Sequence, residues 1–381
     1  MPTETCEKAL DTAVKFLTEQ AAQVDSKSAF PVESLNALAK NGLLGLLVPR
    51  QFGGMEASAP EFVRVVSGIA GACASSGMIF VMHCCGIDVI NQLMKSSRKE
   101  EILRAAANGK HLSTLACSER STGTHFYASY SKSKETESGF TLDADKCFVT
   151  SAGFADSYIV LTQAAASDSP IVTSLYFVPK GIAGQEFNGS WQGLGLRGNS
   201  SAEMKLQSCG LPFDYLLGES GNGLSLAMGK ILPRFLLGTS AVYTGIARAA
   251  YEACCQHVKN RSYQHTGENL AQLATIRRSV AEMKVSLDAL ETFLQHAALK
   301  FDQVPPDPAL LILLFEVKQL ACKTALSIAE QAMQICGGIA YSGSLSIERH
   351  LRDALAGPVM APTSDVLLDL IGKSALGLDL L

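Results

Sequence analysis

The chain has 381 residues, 47% of them hydrophobic and 18% charged, with a formal net charge of −4. This composition excludes a largely disordered chain, and the small negative charge gives no electrostatic case for nucleic acid or an anionic membrane. The length is enough for two or three packed units around a large core.

In chain order, residues 1–114 read as an all-helical unit. Leu10, Val14, Leu17 and Ala21 recur at a helical period, and the stretch from Ser34 to Leu43 repeats the pattern up to Gly42. Asn41-Gly42 and Phe52-Gly53-Gly54 read as loops. The apolar stretch from Phe62 to Ile90 carries Arg64, His83 and Asp88 among many Gly, Ala and Ser. It reads as closely packed buried helices and not as a membrane span. The acidic N-terminus shows no basic segment before an apolar core, so no secretory signal is expected.

Near Cys117 the texture changes. Phe140–Thr150, Ser157–Gln163 and Val172–Val178 are short β-like runs separated by Gly and Ser, which places a small β domain at residues 115–225. The charged run Lys132 to Glu137 reads as a solvated hairpin tip. From residue 226 to 381 the signal is helical again, with long amphipathic runs from Ala271 to Phe293 and from Leu310 to Ile335. Pro305, Pro306 and Pro308 lie between them. The order of helices, β insert and helices predicts an α+β fold with segregated elements.

The 11 cysteines are odd in number and show no CxxC spacing, which suits reduced, buried thiols and a cytoplasmic location. Cys254, Cys255 and His257 lack a second half-site and read as helix surface and core, so no metal site is expected.

The C-terminal stretch is the most informative. Gln334, Gly337 and Gly338 are followed by Glu348-Arg349-His350-Leu351-Arg352-Asp353-Ala354 and by Pro362-Thr363-Ser364-Asp365. In order and spacing this resembles the flavin-binding end of the acyl-CoA dehydrogenase family. Gly42-Leu-Leu-Gly45-Leu-Leu-Val48-Pro49, Cys117-Ser118-Glu119-Arg120-Ser121-Thr122-Gly123-Thr124, Lys146-Cys147-Phe148-Val149-Thr150 and Gly195-Leu196-Arg197-Gly198 are similar to other family motifs.

The resemblance implies an N-terminal helical domain, a central small β-barrel or sandwich and a C-terminal four-helix bundle. It implies FAD as cofactor, an acyl-CoA or acyl-carrier-protein thioester as substrate, and a homodimer, homotetramer or hetero-oligomer. The cofactor-binding residues it implies are Cys117, Ser118, Gly123, Thr124, Phe148, Thr150, Gln334, Gly337, Gly338 and Thr363. Ser118 would bond the isoalloxazine, Thr124 a phosphate and Thr150 the ring near N5, with Phe148 stacked where the family has tryptophan. Arg234 takes the place of a helix arginine and is expected at the substrate. Tyr263 and Thr266 replace an arginine and a phenylalanine that reach a neighbouring subunit's flavin, with Arg261 two residues away.

The family removes a proton α to the thioester carbonyl with a glutamate. Its two known positions fall on Ala361 and Pro233, neither of which accepts a proton, so the catalytic base is unassigned. Asp365, Asp353 and Glu348 read as structural, and Glu119 as a residue that orders its own loop. Three functions follow from the resemblance: an acyl thioester dehydrogenase with a non-standard base; an oxidase, monooxygenase or non-oxidative thioester-modifying enzyme; or a degenerate subunit of a hetero-oligomer.

Overall fold

The computed structural model describes residues 4–125, 127–265, 267–304 and 307–380. Five helices come first: α1 (Glu4–Lys27), α2 (Val32–Lys40), α3 (Ala59–Ala72), α4 (Ala74–Leu93) and α5 (Lys99–Ala107). Local chemistry sets their ends. Ser58 and Glu61 form a reciprocal capping box at the start of α3, which satisfies two otherwise orphaned amides. Helix α4 is long and apolar enough to cross a membrane, but 89% of that window is buried inside the protein. Its small residues let neighbouring elements approach on all sides, as expected from the Gly, Ala and Ser content.

The central part holds eight strands: β1 (Ser113–Ala116), β2 (Lys132–Thr136), β3 (Gly139–Val149), β4 (Ser157–Gln163), β5 (Thr173–Pro179), β6 (Gln185–Asn188), β7 (Ala202–Pro212) and β8 (Leu216–Leu217). They form two four-stranded sheets, ordered β1-β4-β5-β8 and β2-β3-β7-β6. β1 runs parallel to β4, and the other pairs are antiparallel. The run from Lys132 corrects an expectation: it is strand β2, paired with β3, and the turn lies beyond it. Its charges face outward on an edge strand, where they deter pairing with other chains. β4 is buried at every position and covered on both faces, with the apolar run Tyr158–Leu161 at its centre.

The C-terminal part contains α6 (Gly223–Leu226), α7 (Leu232–Asn260), α8 (Ala274–Gln303), α9 (Pro308–Cys336), α10 (Gly338–Tyr341), α11 (Ile347–Ala354), α12 (Ala356–Val359) and α13 (Ser364–Ala375). A π-helical turn at Ala227–Ile231 leads into α7. Asp307 caps α9 by accepting the Leu310 amide at 2.7 Å. The three parts share one hydrophobic core, with Leu17 from α1, Phe62 from α3, Tyr158 from β4 and Leu236 from α7 all buried in it. All 11 cysteines are free, ten of them buried and Cys255 half-buried.

One ion cluster joins the three parts. The Arg352 guanidinium on α11 grips both carboxylate oxygens of Asp25 on α1, at 2.6 and 2.8 Å, and also pairs with Glu348 at 2.7 Å. Arg197, from the β6–β7 loop, donates to the Asp25 backbone carbonyl at 2.9 Å. Bidentate, half-buried pairing of this kind fixes orientation as well as contributing energy. Glu348 and Arg352 are thus structural, as expected.

Candidate functional site

A cavity of about 720 Å³ opens where the two sheets meet α4, α7 and the α11–α13 segment. That volume lies within the ordinary range for small-molecule sites. Six of the cofactor-binding residues expected from sequence line it, Cys117, Ser118, Gly123, Thr124, Phe148 and Thr150, together with Ala361. They come from positions up to 244 apart in the chain, and only the fold brings them together.

A β-bulge aims the aromatic wall. Lys146 pairs with Met204 and Val149 with Ala202, so β3 carries one extra residue there. The Cys147 amide leaves the ladder and donates to the Ser118 carbonyl at 3.0 Å. Phe148 takes a left-handed φ of 55°, costly for a bulky residue, and its ring remains 64% exposed at the cavity. Bulges commonly re-aim side chains in this way, and strain of this kind concentrates at functional sites. Along the same wall the Thr150 and Ser201 hydroxyls lie 3.1 Å apart. The Ser118 and Thr124 hydroxyls make no hydrogen bond to another described residue, which leaves them free for a ligand.

The opposite wall is apolar. Met78 and Met82 from α4, Ile231, Leu232 and Phe235 around the start of α7, and Val359 and Met360 before Ala361 supply it. Lys318 on α9 pins the segment that carries Ala361. Its buried ammonium donates to the Met360 carbonyl at 2.8 Å and to the Pro362 carbonyl at 2.6 Å. Burial lowers its pKa from the usual lysine value. The backbone on both sides of residue 361 is therefore held without help from the side chain at 361.

Among the described lining residues the only carboxylate is Glu119, and it is committed elsewhere. It accepts from Lys146 at 2.6 Å, from the Ser129 and Ser131 hydroxyls at 2.5 and 2.7 Å, and from the Tyr130 amide at 2.8 Å. Burial would push its pKa up. The Lys146 charge and these hydrogen bonds outweigh that and hold it at about 2. A carboxylate so held is a poor proton acceptor, and its work is to order the 117–131 loop. Burial pushes the Cys117 thiol up to about 11 and raises that of Cys147, so neither is a ready nucleophile.

Other sequence candidates lie away from the cavity wall. The Arg234 guanidinium donates to Asp88 at 3.1 Å and stacks on Phe62 and Phe301, with ring centroids at 5.1 and 4.4 Å. Its side chain is 12% exposed and does not line the cavity, because α7 turns it toward α4 and α8. Pro233 is buried in the first turn of α7, a position where the fixed ring torsion suits helix initiation. Gln334, Gly337 and Gly338 are exposed at the end of α9, where Gly337 adopts φ 60°. Thr363 is the half-buried residue that precedes α13. Tyr263 lies 40% exposed in the α7–α8 loop, and Thr266 lies outside the described residues.

Asp353 is buried and accepts the Leu196 amide at 2.7 Å, not an arginine. Gly195, next to Leu196, has no room for a side chain: a Cβ would sit 2.2 Å from the Arg352 carbonyl oxygen. Burial outweighs the Leu196 hydrogen bond and raises the Asp353 pKa to about 6. Because the folded value lies above the unfolded one near 3.9, this group's contribution to stability is present below about pH 4 and lost as pH rises through about 6. Asp353→Asn keeps an oxygen for the Leu196 amide and removes the titration. It is expected to be more stable than wild type above pH 6 and to flatten the stability–pH profile between 4 and 6, which urea unfolding at several pH values will show.

Trp191, Asn199 and Ser201 also line the cavity and were missed in the sequence. Each lies in or beside the β6–β7 loop, whose path depends on contacts with α1, α4 and α11. The Gly195-Leu-Arg-Gly198 motif was the available signal. Asn199 is 2% exposed, and its side-chain oxygen has no partner among the described residues.

Three sequence profiles of one family match the chain: "Acyl-CoA dehydrogenase, N-terminal domain" over residues 3–110, the middle domain over 114–209 and the C-terminal domain over 221–376. Among curated relatives, cyclohex-1-ene-1-carbonyl-CoA dehydrogenase from Syntrophus aciditrophicus is 25% identical over 366 residues, covering 96% of this chain and 87% of its own. The mitochondrial short-chain specific acyl-CoA dehydrogenase of Rattus norvegicus is 27% identical over 357 residues, covering 93% and 85%. Among solved structures, butyryl-CoA dehydrogenase from Megasphaera elsdenii superposes with a TM-score of 0.92 at 24% identity, covering 99% of each chain. The FAD complex of PigA superposes with a TM-score of 0.87 at 22% identity, covering 99% of this chain and 97% of its own.

Proposed function

Since the chain belongs to the acyl-CoA dehydrogenase family, we propose that it is a FAD-dependent oxidoreductase acting on an acyl thioester, carried by CoA or a carrier protein, whose proton acceptor is not a side chain at position 361. The observation that carries this reading is the cavity itself. One wall offers unpaired hydroxyls and an aromatic ring, the other is apolar, and the only described carboxylate is locked to Lys146.

The residues fit the cofactor. Ser118 and Thr124 are free to bond ring and phosphate oxygens, and Gly123, at φ 56°, has nothing within 4 Å of where a Cβ would be. Backbone amides in such a turn can approach an anion closely. Phe148 and Thr150 stand on the same wall. The chemistry FAD supplies when bound is two-electron acceptance from carbon. The protein's part is to hold the thioester against the ring wall, bury its acyl portion among Met78, Met82 and Phe235, and exclude bulk water. With alanine at 361, the α-proton passes to a water held in the cavity, at a cost in rate.

The exposed positions of Gln334, Gly337 and Gly338 support assembly with a second copy, which would bring them to a neighbouring chain's cofactor. The same cavity favours a second reading, an oxygen-consuming flavoenzyme, because such chemistry needs no carboxylate at 361.

Anaerobic mixing of the purified protein with a panel of acyl thioesters decides between them. A bound flavin band that at least one thioester bleaches slowly is the expected result. A band that every thioester leaves oxidised would remove the dehydrogenase reading, and peroxide released in air would then favour the second.

A further inference from the structure

Trp191 is the chain's one tryptophan, and it stands at the cavity. Its indole meets the Phe148 ring edge to face, with centroids 6.3 Å apart and planes at 88°. The loop that carries it is fixed from several sides. The indole N–H donates to the Leu196 carbonyl at 2.9 Å, the Leu196 amide donates to Asp353 at 2.7 Å, and the Gly198 amide donates to the Ser75 hydroxyl at 3.0 Å. The indole also lies against the Gly193 backbone: a Cβ there would come within 2.5 Å of Trp191 Cζ2. Its polar atom is satisfied and it is backed by the loop, so its remaining hydrocarbon surface faces the cavity. An aromatic side chain held in place before binding loses little freedom when a ligand arrives.

We infer that Trp191 is a second aromatic contact for the ring system bound in this cavity, forming with Phe148 a right-angled corner that receives the isoalloxazine of FAD. The inference rests on the reading of the cavity as a flavin site. Edge-to-face and offset contacts with a fused ring system follow the same quadrupole preferences as protein aromatic pairs. The other aromatic side chain at the described cavity wall, Phe235, belongs to the apolar side, so the corner is the feature built for a flat ring.

The test uses the photophysics of contact. An indole touching an excited flavin donates an electron that returns on recombination, so emission is lost; a phenyl ring does not donate. Flavin emission per bound FAD is measured for wild type, Trp191→Phe and Trp191→Leu, together with FAD affinity and the melting temperature. Emission that rises several-fold in both variants, with affinity about 2- to 10-fold weaker in Trp191→Leu, supports the contact. Bound flavin with wild-type emission in both variants overturns it. If Trp191→Leu does not fold, the emission of Trp191→Phe decides alone, since a purely structural tryptophan would leave emission unchanged there. Wild-type protein that takes up no FAD would remove the flavin reading and this inference with it, a result distinct from bound flavin with unaltered emission.

Discussion

Ala361→Glu is expected to raise the rate at which an acyl thioester bleaches the bound flavin by about 10² or more, the usual contribution of a positioned general base. Residue 361 lines the cavity, and the backbone around it is held by the Lys318 ammonium through the Met360 and Pro362 carbonyls. The substitution therefore adds a carboxylate without removing a contact that shapes the loop. Residue 361 is half-buried on the apolar side of the cavity, so partial desolvation would raise the pKa of the new carboxyl, which suits a base working near pH 7. Lys318 lies close enough to its backbone to limit that rise. Ala361→Gln, equal in size and unable to accept a proton, is the control and should leave the rate near wild type. The measurement is anaerobic stopped-flow of the flavin band over a thioester series. If Ala361→Glu retains FAD and stays within about threefold of wild type for every thioester, position 361 is not where the α-proton leaves, and the proposed reaction must be rewritten.

Breaking the Glu119–Lys146 pair should destabilise the protein by about 3–5 kcal/mol, as expected when one partner of a buried ion pair is removed. Lys146 is fully buried and Glu119 only 4% exposed, with 2.6 Å between charged atoms. The two replacements are not equivalent. Glu119→Gln keeps a side-chain oxygen within reach of the Lys146 ammonium but removes the compensating charge, leaving that buried cation with neutral acceptors, among them the Cys117 carbonyl at 3.5 Å and the Ser129 hydroxyl at 3.4 Å. Lys146→Met leaves Glu119 with two hydroxyl donors and one short amide, so its loss should fall at the lower end. Urea unfolding of both variants separates these cases, and a loss below about 1 kcal/mol for Glu119→Gln would show the pair to be energetically minor.

The pH dependence carries the same sign information. The folded pKa of Glu119, about 2, lies below the unfolded value near 4.3. Its contribution is therefore complete above the unfolded value and is lost as pH falls from about 4.5 toward 2. Glu119→Gln should remove that part of the acid sensitivity. Asp353 acts in the opposite direction, its contribution declining as pH rises through about 6, so the two windows meet only near pH 4.

Much of the architecture was legible in the chain because periodicity and breakers act locally. The amphipathic run from Leu310 to Ile335 lies inside α9, and Ser157–Gln163 is β4 to the residue. The charged run at Lys132 misled because outward charge marks both turns and edge strands, and only pairing with β3 tells them apart. The motifs around Ser118, Thr124 and Thr150 named one wall of the cavity, since small hydroxyls near glycine serve close approach to a ligand wherever they fold.

The sequence by itself determined the family, the segregation of helices and strands, and the alanine where a carboxylate would be expected. Each of these is a property of residue type and spacing. Tertiary structure alone decided what those residues face. It turned Arg234 onto Asp88 and two phenylalanines, committed Glu119 to Lys146, and let a bulge swing Phe148 out to meet Trp191. Such outcomes depend on contacts between segments far apart in the chain, where burial, charge pairing and strand register are settled together, and no local pattern of residues records them.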